Sequence, residues 1–532
     1  MPPGRGRESK DGKHHGGAYG SSPNTRDDRQ PARADRRVNR GPVPVSASNA
    51  VPHPSRPPAI IQGGMGVGVS SWQLAQAVAR TGQLGVVSGV ALDALLARRL
   101  QTGDDGGHVR RALARFPVPA LAQAVLDRYF VAGGSPPDRP MRPVPKLSLR
   151  SRRQAQQLSV IANFVEVFLA KQGHDGPVGV NYLEKIQTAT PAAVYGAMLA
   201  GVDFVLMGAG LPTEIPRLLD ALAVHQPVRL SVTVHGALPG DDHHVTLDPQ
   251  EVLGETPSPL RRPRLLAIVS SATLALYLAR DPVTSPDGFV LEAPVAGGHS
   301  ARPRGRLALD DDGEPVYGPR DHIDLSKVAA LNLPFWLAGG QSSPEQLLAA
   351  RAAGAAGVQV GTAFALCRES GLDDNLKRQL LREAAERTLV VRNDVRASPT
   401  GFPFKMVSLP GTVADDQVYA DRPRLCDLGY LRTPFRRDDG TVGHRCPAEP
   451  VDEYVRKGGT VEDTVDSRCL CNGLVATVGL GQRRADGYLE PPLVTLGQDV
   501  AFLPHLTRQS DHYTAADVIR YLLTAPRTPT GP

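Results

Sequence analysis

The feature that most constrains this chain is an alternation that begins at Pro58, where a short apolar run ends in small residues and is followed by a helix-forming stretch. Ala59–Gln62 leads into Gly63-Gly64-Met65-Gly66, and Ser70–Ala79 then places Leu74, Ala75, Val78 and Ala79 on one helical face, with Ser70 or Ser71 as its cap. The pattern returns at 84–87, 178–183, 204–207, 265–270, 289–292, 335–338 and 358–360, eight runs in all. Strands alternating with helices predict a parallel sheet with helical crossovers. Because the runs are apolar throughout, both faces of each strand are expected to be buried. Eight units favour a closed α/β architecture, the (β/α)8 TIM barrel, over an open doubly wound sheet.

Two segments exceed what a minimal barrel needs. Residues 101–176, after the second strand, hold a Pro-rich middle between helical stretches, of which Arg152–Lys171 is the most regular. Residues 228–262, before the fifth strand, read as a hairpin: Arg229–Val234 and His244–Leu247 flank a Gly-Asp-Asp turn. After the last strand, helices are expected over 362–370 and 373–389. From 395 the chain is Gly- and Pro-rich until Thr514-Ala-Ala-Asp517, which opens a final helix as a capping box. The expected organisation is therefore a tail over 1–56, a ligand-binding barrel over 57–394 with insertions 101–176 and 228–262, and a C-terminal cap over 395–532.

Charge distribution removes one function class. The net charge of +6 is carried entirely by residues 1–57, which hold 11 Lys/Arg against 5 Asp/Glu, so the remainder is neutral overall. That segment is rich in Gly, Pro, Ser and Arg and nearly devoid of large apolar residues, the composition of a disordered basic arm. A globular nucleic-acid-binding surface is not indicated. No run of about 18 uncharged apolar residues and no secretory signal is visible, which reads as a cytoplasmic chain without a membrane partner. Five cysteines in 532 residues do not make a secreted disulfide framework. Cys426, Cys446, Cys469 and Cys471 could supply four thiolates to zinc or an iron–sulfur centre, but the only local pair is Cys-x-Cys, and buried reduced thiols are the alternative.

Chemistry is expected where barrel strands end. Gly63, Gly64 and Met65 follow the first strand, Gly339 and Gly340 the seventh, and Gly361 and Thr362 the eighth. Turns after strands seven and eight present unpaired N–H groups to a phosphate, and glycine allows its close approach. After the sixth strand, Glu292 leads to Gly297-Gly298-His299, and a histidine at that rim can exchange protons near neutral pH because its ordinary pKa is about 6.5.

The ordered series Ile60-Ile-Gln-Gly-Gly-Met65, Asn181 within Gly-Val-Asn-Tyr-Leu, Ala296-Gly-Gly-His299, Leu337-Ala-Gly-Gly340 and Val358-Gln-Val-Gly-Thr362 resembles that of the nitronate monooxygenase (2-nitropropane dioxygenase) family over roughly residues 58–370. The resemblance implies FMN, with its phosphate on Gly339, Gly340, Gly361 and Thr362 and its ring near Gly63, Gly64, Met65 and Asn181. Gln359, Val360, Gly297, Gly298 and Glu292 would complete the cradle. It assigns His299 the task of taking the substrate's α-proton or positioning the nitronate anion, with O2 as co-substrate and a carbonyl compound and nitrite as products. In two places the chain departs from that family: Glu292 stands where glutamine is common, and Val295 where glutamate is common. Gln-Gly-Gly-Met at strand one and a glutamate at position 292 are more similar to flavin-dependent enoyl-ACP reductase II, which implies NAD(P)H-dependent enoyl-thioester reduction as the alternative. A non-catalytic FMN or phosphate-binding scaffold is the reading from another class. A homo-oligomer is left open.

Overall fold

The computed structural model of the chain describes residues 57–255, 257–507 and 512–525, so the basic arm read at 1–56 lies outside the described residues. The eight runs form one parallel sheet: β1 (Ile60–Gln62), β2 (Gly85–Ser88), β3 (Val178–Leu183), β4 (Phe204–Gly208), β5 (Arg264–Val269), β6 (Gly288–Glu292), β7 (Phe335–Ala338) and β8 (Gly357–Val360). Each strand pairs with its sequence neighbour from β2 to β8, and β8 pairs with β1 through Ile60↔Val358. The seam between β1 and β2 is closed by a bridge at Ile61↔Leu84, where Gln62 N donates to Leu84 O at 2.9 Å and Leu84 N to Ile60 O at 3.1 Å. The result is a (β/α)8 barrel.

Why the strands are apolar on both faces follows from two concentric cores. Ile61, Val86, Leu206, Leu266, Val290 and Trp336 fill the barrel interior. Their neighbours Ile60, Val87, Val205, Leu265, Phe289 and Val358 point outward and pack beneath the helices. Trp336 is held by an indole N–H bond to Pro58 O at 2.8 Å, which satisfies the one polar atom of a buried ring. The first helix, Trp72–Ala79, is capped by Ser71, whose hydroxyl accepts from Leu74 N.

The long segment between β2 and β3 is less an addition than the sequence implies. Its last helix, Arg153–Ala170, packs between the helix Trp72–Ala79 and the helix Thr190–Leu199 that follows β3, and so occupies the crossover position of the outer ring. Phe164 meets Phe116 edge-on at 5.2 Å and stacks on Phe168 at 5.5 Å. Glu166, fully enclosed, accepts from Trp72 N at 2.9 Å and pairs with Arg99, tying this helix to its neighbours.

The hairpin is present, with Val228–Ser231 antiparallel to His244–Leu247. Two helices are shorter than expected. The one after β8 runs only Thr362–Ala365, and Ser370 Oγ, which donates to Ala365 O, holds the chain in an irregular turn. The next runs Asp374–Ala385 with Asp373 as its cap and stops before Arg387, whose φ of 62° cannot continue a right-handed helix. From 391 the weakly periodic sequence forms two antiparallel ladders, Val391–Asp394 with Phe404–Val407 and Thr433–Arg436 with Val442–Arg445. The final helix, Ala515–Leu523, opens on the Thr514/Asp517 capping box and buries Val518, Ile519 and Leu522. All of this belongs to the same compact unit as the barrel.

Candidate functional site

The carboxyl ends of the strands surround a cavity of about 450 Å³. All fourteen residues singled out in the sequence, from Gly63 to Thr362 and including His299, line it. The volume lies within the range of small-molecule and cofactor sites.

The turn after β1 is held by side chains beneath it. Ser70 Oγ donates to Gly63 O at 2.8 Å and accepts from Met65 N at 2.9 Å, while Gly63 N donates to Val360 O at 2.9 Å. These bonds draw the turn down over β3. A Cβ on Gly64 would sit 2.3 Å from Asn181 Cβ, so the approach requires glycine. After β7, Gly339 and Gly340 have φ of 86° and 64°, a left-handed pair that leads through Ser343 into the helix Pro344–Ala352. Gly361 precedes the single helical turn 362–365, and Thr362 Oγ1 accepts from Gly497 N at 2.8 Å.

Two buried side-chain atoms of this wall have no partner within the protein: Asn181 Oδ1 and Gln359 Oε1. A buried carbonyl oxygen left unsatisfied costs roughly 1–3 kcal/mol, so this pair offers two acceptors to whatever polar group enters the cavity.

The loop after β6 is built from both the barrel and the C-terminal region. Ala293 N donates to Ala338 O at 2.9 Å, whereas Gly298 N donates to Thr495 Oγ1 at 3.0 Å, Lys405 N to Gly298 O at 2.9 Å and Ser300 N to Pro403 O at 2.9 Å. His299 lies edge-on to Phe404 at 4.8 Å, and its Nε2 is 2.7 Å from Ser398 Oγ, itself 2.8 Å from Thr400 Oγ1. Burial, aided by the positive charge of Lys185, lowers the histidine to about 4. The sequence expectation of a group exchanging protons with an ordinary pKa is thereby changed: His299 is neutral through the physiological range and offers an imidazole, not a cation. Glu292 moves the other way, its carboxyl pushed up to about 7 by burial and pulled back in part by Lys405.

Sequence reasoning missed the wall contributed from outside the barrel. Phe402, Phe404, Tyr430, Leu470, Cys471 and Leu474 face the cavity, as does Lys185, whose ammonium stands 4.4 Å above the Phe402 ring. Tyr430 Oη donates to the buried Asp93 carboxylate. Burial raises the Cys471 thiol to about 11, which disfavours its thiolate. All five cysteines are free thiols, and among the described residues no group of three or more His, Cys, Asp or Glu converges to hold a metal. Burial raises the thiols of Cys426, Cys446, Cys469 and Cys471, and Cys446 also feels the other three.

The fold and cavity define a (β/α)8-barrel protein with a cavity at its strand ends. Residues 263–400 match the model of the nitronate monooxygenase family. It is 33% identical over 126 residues to a nitronate monooxygenase of Paraburkholderia phytofirmans, covering 23% of this chain and 32% of that one. It is 30% identical over 181 residues to a probable nitronate monooxygenase of Staphylococcus haemolyticus, covering 34% and 48%. The alignments thus span a third to a half of these relatives. Among solved structures, FabK from Thermotoga maritima aligns over 88% of this chain and 91% of its own at 17% identity and a TM-score of 0.43. A nitroalkane oxidase from Streptomyces ansochromogenes aligns over 88% and 95% at 17% identity and a TM-score of 0.38.

Proposed function

We propose that the protein is an FMN-dependent oxidoreductase, with nitronate monooxygenase activity as the leading reading: oxidation of an alkyl nitronate by O2 to a carbonyl compound. The observation that carries it is the cavity itself, where the unpartnered Asn181 Oδ1 and Gln359 Oε1 and the glycine turns at 63–66, 339–340 and 361 meet beside a half-buried, neutral histidine. These residues fit a flavin. Asn181 and Gln359 would hold polar edges of the ring, the open turn at Gly64 would admit its face, and the turns after β7 and β8 would take its phosphate. Bound there, FMN would supply the electron-accepting chemistry that no side chain provides. The protein's part is then to orient substrate and handle protons. Neutral His299 can accept a substrate proton, and Ser398 and Thr400 extend a hydrogen-bonded line from its Nε2.

One observation favours a second reading, NAD(P)H-dependent reduction of an enoyl thioester. Saturating a carbon–carbon double bond consumes a hydride and a proton, and the Glu292 carboxyl, raised to about 7, can donate a proton near neutral pH. A single experiment separates these. The purified protein is expected to be yellow, with an absorbance spectrum bleached anaerobically by a nitronate and restored by O2. Bleaching only by NADPH, with recovery on adding an enoyl thioester, selects the second reading. A colourless protein that cannot be reconstituted with FMN refutes both and leaves a scaffold.

A further inference from the structure

Lys405 is the one lysine of the described residues with no exposed surface, and it comes from a strand outside the barrel. That strand, Phe404–Val407, is paired on one side with Val391–Asp394, where Lys405 lies opposite Asn393. On its other side it adds a rung to the catalytic loop, through the His299↔Phe404 bridge and the Lys405 N to Gly298 O and Ser300 N to Pro403 O bonds. The side chain runs beneath this loop, and its ammonium donates to Pro294 O and to Ser300 Oγ, one at each end of the segment that carries Gly297, Gly298 and His299. A buried ammonium held by two neutral acceptors lacks a counter-charge unless a carboxylate faces it. Two lie near enough for their charge to act on it: Glu292 at the end of β6, two residues before Pro294, and Glu314 from the segment between β6 and β7. Of the other titratable groups nearby, His299 lies in the loop itself, paired with Phe404, and Tyr317 meets Ser300 and, through Asn393, the partner strand.

We propose that Lys405 is a positioning residue that clamps the Pro294–Ser300 loop from below and decides whether Glu292 holds a proton. The clamp follows from its two acceptors, which bracket the loop. The control of Glu292 follows from like reasoning about charge: a cation fixed next to a buried carboxyl favours the ionised form, and without it burial alone keeps the carboxyl protonated. The two groups pull on each other, Glu292 raised to about 7 by burial against Lys405, and Lys405 lowered to about 8 by burial against Glu292 and Glu314. Near neutral pH the pair is therefore poised so that one proton separates an ion pair from a neutral acid beside an ammonium. In this way the C-terminal region would set the proton supply on a cavity wall built by the barrel. The purpose of that supply rests on the oxidoreductase reading above; the coupling itself does not.

The test follows the protonated-carboxyl stretch of Glu292 by infrared difference titration of the full-length protein, with Glu292→Gln identifying the band. Lys405→Met is expected to raise the titration midpoint at least about tenfold in proton affinity, and Lys405→Arg, which keeps the charge, to return it towards wild type. An unchanged midpoint in folded Lys405→Met overturns the proposal, as does a Lys405→Arg midpoint that stays with Lys405→Met. Should Lys405→Met fail to fold, the same coupling is read in reverse from the 13Cε titration of labelled lysines in Glu292→Gln. There the midpoint of Lys405 must fall relative to wild type, since interacting groups shift each other reciprocally; no shift refutes the coupling. Because neither measurement uses turnover, a failed flavin assay and a failed coupling are distinct results.

Discussion

The two halves of the cavity are made differently. The barrel half is backbone: Gly63, Gly64, Gly339, Gly340 and Gly361 bring main chain to the cavity with almost no side chain between. The half contributed after residue 391 is side chain: Ser398 on His299 with Thr400 behind it, Lys405 under its loop, Phe402 and Phe404 along the wall. A surface of backbone amides and glycine turns suits a ligand that stays, because it offers fixed dipoles and a close fit. A surface of buried ionisable and hydroxyl groups suits adjustment of proton positions, because burial shifts each group and neighbours shift it back. Binding is thus expected to follow the barrel, and protonation the C-terminal region.

The largest expected effect breaks that division at the residue the two halves share. His299 is on the barrel loop, but its ring is held by Ser398 and Phe404. His299→Ala is expected to lower turnover on the order of 10²–10⁴-fold while the flavin remains bound, the usual scale for removing a proton-transfer group. Steady-state rates alongside the flavin-to-protein absorbance ratio check it, and unchanged turnover would remove the assigned role. A smaller effect is expected from the barrel half. Gly64→Ala puts a methyl 2.3 Å from Asn181 Cβ, so the turn or β3 must shift, at about 1–3 kcal/mol for an overpacked site. The purified variant should carry at least about tenfold less flavin, with other properties of the fold intact. Full flavin retention would mean that the turn after β1 is not part of the cradle.

The same division explains what could be read from sequence. Eight apolar runs punctuated by glycine reveal the barrel because each signal is local: Leu84–Val87 or Phe335–Ala338 is a buried strand wherever it sits, and Gly339-Gly340 follows it directly. Asn181 and Gln359 are likewise visible as polar residues inside apolar strands. The other wall is invisible for the opposite reason. Lys405 reads as an ordinary exposed lysine in a Pro- and Gly-rich stretch, and only the pairing of 403–405 with 298–300, over a hundred residues apart, puts it under the histidine loop. The polar residue at the end of the Ala397-Ser-Pro-Thr-Gly-Phe-Pro-Phe-Lys405 run was the available signal, but no periodicity says what such a run docks against. The crossover helix Arg153–Ala170 shows an intermediate case: its existence was legible, whereas its place in the outer ring depends on neighbours at 72–79 and 190–199.

The smallest expected effect sharpens the comparison, because it sets the two titrating groups of the cavity against each other. Glu292 is raised from its ordinary 4.5 to about 7, so between those values the folded chain binds more protons than the unfolded one, and its contribution to stability is present below about 4.5 and lost as pH rises to 7. His299 is lowered from 6.5 to about 4, so between those values the unfolded chain binds more protons, and its contribution is present above 6.5 and lost as pH falls to 4. The slopes oppose and largely cancel in the wild type. Glu292→Gln removes the first slope and leaves the second, so Tm should rise between pH 5 and pH 7 by about 1–3 °C relative to the wild-type trend. His299→Ala should give the reverse, a relative fall over the same interval. Thermal melts of the three proteins in matched buffers measure both. Parallel curves would show that neither group is displaced by its surroundings, and the C-terminal wall would then be a cover over the cavity with no hold on its proton chemistry.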